Sequence, residues 1–437
     1  MELTLSKAIP SNRKKVSYAS YASYTLAYEV EGLLVDPTGK TVQMAHGPEG
    51  DLLPANGAFG QWWEKVVTDA IGLAQPEWFY DQPELTTTLC KNGLDARNRT
   101  QILKEGVDAV TKQMGEIAFV GGGVHPFIDG SQVQVYRKPL YLRHLLLFGQ
   151  QMLSLAYTNA LHIHVSNNEW DAREKRRSAV NASRVFIPLL AALTENGPFC
   201  PGAEENGNRD ERHRRCWSLA GPMSRVNEAM SRSQFDAFLA HLQYAELLDE
   251  RRKLWCPVLE HPVYPTVEIR MMSTPSEWAG VIHFALLAAA LVAKLESYYG
   301  TRCQKVRLPG QGTFNIAKAW DTEKAIPSWE IEVQLLQAGV EGLSAQLKRD
   351  YFTGEADICI SDSIGVLLDW LEQDEELVEH FDLVPTLQFI REILKTGLTF
   401  AQRQINFVTR LGSDLSLQEK MRLLVTEHLV EAMKLPL

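Results

Sequence analysis

Three short stretches of the chain alternate between apolar and polar residues with a period of two: AYEVEGLLV (27–35), ALHIHVS (160–166) and PTVEIRM (265–271). A period of two predicts β-strands, with side chains two apart on one face. Each strand is then apolar on one face and polar on the other. The polar faces carry Glu29 and Glu31, His162 and His164, and Thr266, Glu268 and Arg270. A fourth strand is expected over PELTTTLC (83–90), where three successive threonines disfavour helix and Glu84 adds another acid. The first strand spans 24–36 and closes on the turn signal Pro37-Thr38-Gly39. AFVGGGVHPF (118–127) reads as a strand running into a glycine turn.

Between the strands the period changes to that of a helix. Residues 95–118 place Ile102, Val107, Val110 and Met114 on one side. Further helices are expected over 140–157, from DAREKRR (171–177) through PLLAALTEN (188–196), and after Trp278. From Ser328 onward the pattern is almost wholly helical, closing on an amphipathic helix near Leu417–Leu435. Residues 40–82 are mixed, and 200–212 form a polar, glycine-rich loop. Strands separated by long helices at irregular spacing predict an α+β fold. One domain over 1–437 is expected, with the helical last third (about 328–437) a lobe of it.

Composition narrows the class. With 45% hydrophobic and 22% charged residues the chain is globular, and its 437 residues suffice for a large core. A formal net charge of −10 argues against nucleic acid or an anionic membrane as the main partner. The six cysteines are scattered, which suits reduced thiols in a cytosolic protein. The start, MELTLSKAIPSNRKK, has no apolar signal core, and the apolar run from Val281 to Leu295 contains His283 and Lys294. It falls short of the roughly 20 residues that span a bilayer. A cytoplasmic location is expected.

The polar strand faces then stand out by residue type. A solvated face of a half-buried strand is one reading. The other is a site, because Glu, His, Thr and Arg are the types that bind Mg²⁺ or take part in phosphoryl chemistry. Common nucleotide and hydrolase motifs (GxxxxGK[ST], HExxH, GxSxG) are missing. Gly121–Gly123 reads first as a tight turn.

These motifs, in this order, resemble the type 2 glutamate–cysteine ligase-like family of carboxylate–amine ligases. TLAYEVEGLLVD (25–36) resembles the family's opening strand, PELTTTLC its second acidic strand, VGGGVHPF (120–127) its glycine–histidine segment and ALHIHV (160–165) its GLHVHV strand. IPLLAALTENGPF (187–199), RDERHRRCWSLAGP (209–222), PTVEIR (265–270) and GLTFAQRQ (397–404) follow in register with later family segments. The chain differs at Ala27, Val30 and Gly32 in the first strand, and NIAKAW (315–320) is a faint match to an arginine-rich stretch.

The resemblance implies a glutamine-synthetase-like antiparallel β-sheet funnel with helices packed outside. It also implies an ATP- and Mg²⁺-dependent ligase. ATP phosphorylates a carboxylate, usually the γ-carboxylate of glutamate, and an amine attacks the acyl phosphate to give an amide, ADP and phosphate. Carried over by position, Glu29, Glu31, Glu84, His162 and Glu268 are candidate metal ligands, and Glu29, Glu84 and Arg270 candidate nucleotide contacts. Arg270 and Glu268 are the candidate catalytic pair. His164, His125 and Arg212 or Arg215 are substrate-side candidates, His125 alternatively capping a turn. Partners would be a glutamate-like carboxylate and an amine, with no nucleic acid or membrane and with a homo-oligomer left open. Two readings compete: an inactive relative that binds a nucleotide or a partner, and a metal-dependent hydrolase built on His162 and His164.

Overall fold

The computed structural model describes residues 20–42, 72–77, 79, 82–127, 135, 142, 145–146, 149, 158–168, 173–199, 229–245, 254–261, 263–298, 305–308, 313–315 and 326–437. Strand β1 (Tyr24–Glu31) buries Tyr24, Leu26, Tyr28 and Val30 completely, as alternation requires. It stops at Gly32, where a Cβ would sit 2.2 Å from the Phe119 ring. The chain resumes as β2 (Leu33–Val35), which leaves the first sheet. The single strand expected over 24–36 is thus two strands in two sheets, and the close approach of Phe119 is the reason.

Strands β3 (Gly72–Pro76) and β4 (Pro83–Thr87) follow. Helix α1 (Gly93–Gln113) starts where Asn92 accepts a hydrogen bond from the Asp95 amide, and it gives way to Gly115 at φ +96°. Strand β5 (Ala118–Val120) pairs with β2 in a small ladder of its own. Next come β6 (Ala160–Asn167), α2 (Arg173–Ser183) and, after one tight turn, α3 (Ile187–Leu193). Helix α4 (Arg232–Tyr244) opens on a reciprocal Ser231–Gln234 cap. The hairpin strands β7 (Val258–Glu260) and β8 (Thr266–Ser273) precede α5 (Trp278–Ser297).

The main sheet has six strands in the order β3-β4-β1-β6-β8-β7, every neighbour antiparallel. Its apolar face, with Val30, Leu85, Leu161, Ile163, Val267 and Ile269 all buried, packs on helices. Foremost is α5, which touches β1, β6, α1 and α2. α5 is long and apolar enough to cross a membrane, yet 89% of its apolar window is buried inside the protein. A helix apolar all round is what a central core position demands. The α+β class with an antiparallel sheet is therefore observed.

Beyond a short ladder of β9 (Lys305–Arg307) and β10 (Thr313–Asn315), the chain is mostly helical. The elements are α6 (Ser328–Glu341), α7 (Ile360–Glu372), α8 (Glu375–His380), α9 (Leu383–Thr396) and α10 (Phe400–Arg410). A final helix runs from Leu417 to Lys434 through a π-helical stretch at Leu424–Leu429. The part of this almost wholly helical stretch that is not helix includes a two-residue ladder of Gln346–Leu347 on Ile358–Cys359. The hairpin between them closes on Asp350, which is 1% exposed and accepts hydrogen bonds from the Phe352 and Thr353 amides and from the Thr353 and Ser363 hydroxyls. One apolar cluster runs from Tyr21 through α5 to Met433, so the last third shares its core with the sheet. The expected loop over 200–212 and nearly all of the expected helix over 140–157 lie outside the described residues.

Candidate active site

Strand pairing sets the site. Glu29 lies opposite Thr86 on β4 and His162 on β6, and Glu31 lies opposite Glu84. His164 lies opposite Glu268 on β8. Paired residues share a face, so these side chains gather on the side of the sheet away from α5. Between Leu161 and Ile163 the pairing of β6 with β8 slips by one residue. Arg270 keeps the register of Glu268 and falls opposite His162 on the acid face, and Met271 is the extra residue of the bulge.

The contacts are close. His162 Nδ1 is 2.9 Å from Glu29 Oε2, and its Nε2 is 3.7 Å from Glu31 Oε1. His164 Nε2 is 3.2 Å from Glu29 Oε1 and 3.8 Å from Glu268 Oε1, while its Nδ1 meets the Thr266 hydroxyl at 3.2 Å. The Arg270 guanidinium donates to Glu268 Oε1. The Ala160 amide donates to Glu31 Oε2 at 2.6 Å. Among the described residues, Glu268 Oε2 is buried and accepts no hydrogen bond.

Sequence reading missed one member. Glu77 follows β3 at a turn held by its amide hydrogen bond to the Gln82 carbonyl, and its carboxylate joins Glu31 and Glu84. No periodicity marks AQPEWF, so the only signal was an acid inside an apolar, aromatic stretch.

Electrostatics follow from crowding. Burial pushes the Glu77 carboxyl up to about 7, and the Glu31 charge adds to this. Burial also works on Glu29, but hydrogen bonds and charge from His162 and His164 overcome it and hold its carboxyl well below the usual range. Glu268 is pushed up by burial and pulled below the usual range by Arg270 and then His164. His164 is raised despite its burial, through Glu268 and then Glu29. His162 is lowered by burial and by Arg270.

Three overlapping sets have ligand atoms within 4.8 Å of one another: Glu29, Glu84 and His162; Glu29, His164 and Glu268; and Glu31, Glu77 and Glu84. Mostly carboxylate oxygens, with one lacking any donor, form a donor set that fits a hard divalent cation such as Mg²⁺ better than Zn²⁺.

Not every sequence candidate joins this cluster. His125 is buried elsewhere: its Nε2 faces the Gly39 carbonyl at 3.2 Å and its Nδ1 accepts from the Phe127 amide at 3.3 Å. These contacts make it the cap of a turn. Of the glycines beside it, Gly121 is a packing point, since a Cβ there would lie 2.1 Å from the Pro275 carbonyl oxygen, and Gly122 takes the φ of +122° that the expected turn needs. From GLTFAQRQ, Arg403 pairs with Glu277 at 3.0 Å and Gln404 donates to Asn196. Arg212, Arg215 and Lys318 lie outside the described residues.

A six-stranded antiparallel sheet with a carboxylate-lined face defines the class, and solved structures share the architecture. The Francisella tularensis glutamate–cysteine ligase, solved in complex with AMP, aligns with TM-score 0.63 at 12% identity, covering 94% of this chain and 88% of that one. A bifunctional glutathione synthetase from Pasteurella multocida aligns with TM-score 0.58 at 12% identity, covering 94% and 53%. At such identity the likeness is one of fold. The chain belongs to glutamate–cysteine ligase family 2, whose family model matches residues 28–304. Relatives named for glutamate–cysteine ligase 2 include one from Solibacter usitatus, 27% identical over 227 residues, or 51% of this chain and 56% of the relative. Another, from Sorangium cellulosum, is 25% identical over 348 residues, or 78% and 83%. The chain thus spans little more than half the length of the first of these.

Proposed function

We propose that the protein is an ATP- and Mg²⁺-dependent carboxylate–amine ligase that forms an amide, γ-glutamyl or related, through an acyl phosphate. The observation that carries this reading is the gathering of Glu29, Glu31, Glu77, Glu84 and Glu268 with His162, His164 and Arg270 on one sheet face. Buried carboxylates crowded this closely cost desolvation and mutual repulsion, which a purely structural role gives no reason to bear. The relatives' names point to glutamate as the carboxylate and an amino acid as the amine.

Glu29, Glu31, Glu84, Glu268 and His162, joined by Glu77, would hold Mg²⁺. When bound, the ion would neutralise nucleotide phosphates and free the acids from their repulsion. Arg270, clamped by Glu268, presents a planar guanidinium where charge builds during phosphoryl transfer. The substrate carboxylate oxygen bonds to the γ-phosphorus as the bond to ADP breaks. The amine nitrogen then bonds to the acyl carbon as phosphate leaves. His164, fixed by Thr266, would serve the substrate side.

The test is product analysis with ATP, Mg²⁺, glutamate and a panel of amines. ADP and phosphate are expected in equal amounts with the amide, and only when Mg²⁺ is present. AMP and pyrophosphate as stoichiometric products would overturn the acyl-phosphate route.

A further inference from the structure

The main sheet ends at β7, and neighbouring residues of that edge strand go to opposite faces. Leu259 lies opposite Glu268 and shares the acid face, whereas Glu260 lies opposite Val267 on the helix-covered side. Helices α2 and α4 close around this edge and leave a cavity of about 180 Å³. Its charged wall is Glu260 with Arg176 and Arg232, and its apolar wall is Phe235, Leu239, Leu254 and Leu259. The acid cluster uses none of these side chains.

The arginines here exceed what they pair with. Both crowd onto one oxygen of the buried Glu260: Arg232 Nη1 donates to Oε1 at 2.6 Å and Arg176 Nε at 3.3 Å, with Arg176 Nη2 also 3.3 Å away. Arg232 Nε donates to Asp236 Oδ2 at 2.9 Å. That leaves Arg176 Nη1 and Arg232 Nη2 without an acceptor among the described residues, on side chains that line the cavity. Arg176 is only 8% exposed, so little water compensates it. Behind the Phe235 ring lies a third guanidinium, that of Arg177, 4.3 Å from the ring centroid and with its Nε and Nη1 buried and unbonded.

Charge and size define what fits. Among the described residues three guanidiniums share two carboxylates, Glu260 and Asp236, which leaves one positive charge over. Buried guanidinium N–H groups without an acceptor are unfavourable, and one added carboxylate supplies both the acceptors and the missing charge. A phosphate, at about −1.5 to −2, overshoots that charge and leaves the apolar wall bare. A cavity of roughly 150 Å³ suffices for a benzene ring, so this one has room for a ring or a branched alkyl group beside a carboxylate.

We propose that this edge cavity is a second binding site, separate from the acid cluster, for a compact monocarboxylate with an aromatic or branched apolar body. The carboxylate bridges Arg176 and Arg232, and the body rests on Phe235 and Leu239. Glu260 and Asp236 act as positioning residues, holding the two guanidiniums in place. The inference does not rest on the ligase reading, because the charged wall belongs to the other side of the sheet.

The experiment is calorimetric binding of benzoate, benzamide and inorganic phosphate to the full chain, alone and with glutamate and Mg–ATP present, and to Arg232→Gln. Benzoate should bind with a Kd of about 1 mM or tighter, in keeping with a ligand this small. Benzamide has the same shape without the charge and should bind about tenfold or more weakly, the scale of a charge-assisted hydrogen bond. Phosphate should bind more weakly than benzoate. Arg232→Gln leaves Glu260 paired with Arg176, so a melting curve should still show a folded chain. In that variant benzoate should lose about tenfold in affinity and benzamide nothing. Glutamate and Mg–ATP should leave benzoate affinity as it was. Equal affinities for benzoate and benzamide, or no benzoate binding to the wild-type chain at about 10 mM, overturn the proposal without any variant. Displacement of benzoate by glutamate would assign the carboxylate to the acid-face site and overturn the separate one. Phosphate binding tighter than benzoate would make this a site for inorganic anions, and the assignment to an apolar carboxylate would be wrong.

Discussion

Asp350 and Glu268 are both 1% exposed acids, and the protein treats them in opposite ways. Asp350, in the helical last third, accepts four hydrogen bonds from its own hairpin and the start of α7. Its charge is used up locally. Glu268, on the sheet, has Arg270 at one oxygen, a buried and unbonded second oxygen, and Glu29 close by through the shared His164. Its charge is left over. Burial alone separates nothing here; the difference lies in whether the fold supplies donors. An acid with all its donors holds the fold together, whereas an acid short of them is held by the fold for something else.

That contrast can be broken by mutation. Glu268→Gln keeps shape and removes the surplus charge. Amide formation at saturating Mg²⁺ should fall by about 10²–10³-fold, the range seen when a preorganised electrostatic group is lost. The chain should still fold, with a lowered melting temperature because Arg270 and His164 lose the charge they hold ionised. Near-wild-type rates would show that Glu268 is no more special than Asp350. Asp350→Ala should do the reverse. It leaves buried amide and hydroxyl donors unpaired and should cost about 2–4 kcal/mol of stability in a denaturant melt. The rate per folded molecule should not change, and a selective loss of activity would merge the two regions the comparison separates.

His125 sharpens the comparison with a smaller effect. Burial holds its imidazole down at about 3, and both ring nitrogens serve the backbone. Its folded pKa lies below the unfolded value of about 6.5. The stability it contributes is therefore complete above that value and is lost as pH falls toward 3. His125→Gln keeps a donor for the Gly39 carbonyl and cannot titrate. The unfolding free energy should fall less steeply with falling pH for the variant between pH 6 and 4, by on the order of 1 kcal/mol per pH unit. Parallel curves would show that His125 is not the buried neutral cap its contacts describe.

How much of this was legible follows from the kind of information each feature needs. Glu29 and Glu31, His162 and His164, and Glu268 and Arg270 declared themselves because a period of two is a local property, and each pair does share a face. The core side was equally readable from Val30, Ile163 and Ile269. What stayed hidden is non-local. Gly32 separates two sheets only because Phe119 arrives above it. The slip that leaves Met271 as an extra residue in β8 depends on the pairing of β8 with β6. Glu77 follows the edge strand β3, outside any alternating run, so it carried no pattern. His125, a family-derived candidate, turned out to serve a turn, which spacing could not have shown.

The strand order also governs how the chain reaches this state. β1 must await β6, and β6 must await β8, before any two members of the acid cluster on those strands meet. Contacts so distant along the chain are slow to form, because loop-closure entropy is lost before they reward it. All six strands of the sheet precede α5 in the chain, so their apolar face stays bare until α5, apolar on every side, arrives to cover it. Newly made chains are then most exposed to aggregation before α5 has packed on the sheet. Expression at lower temperature or with a chaperone that shields apolar helices should raise the soluble yield, and substitutions that slow β1–β6 pairing should lower it, even where the finished protein is as stable as before.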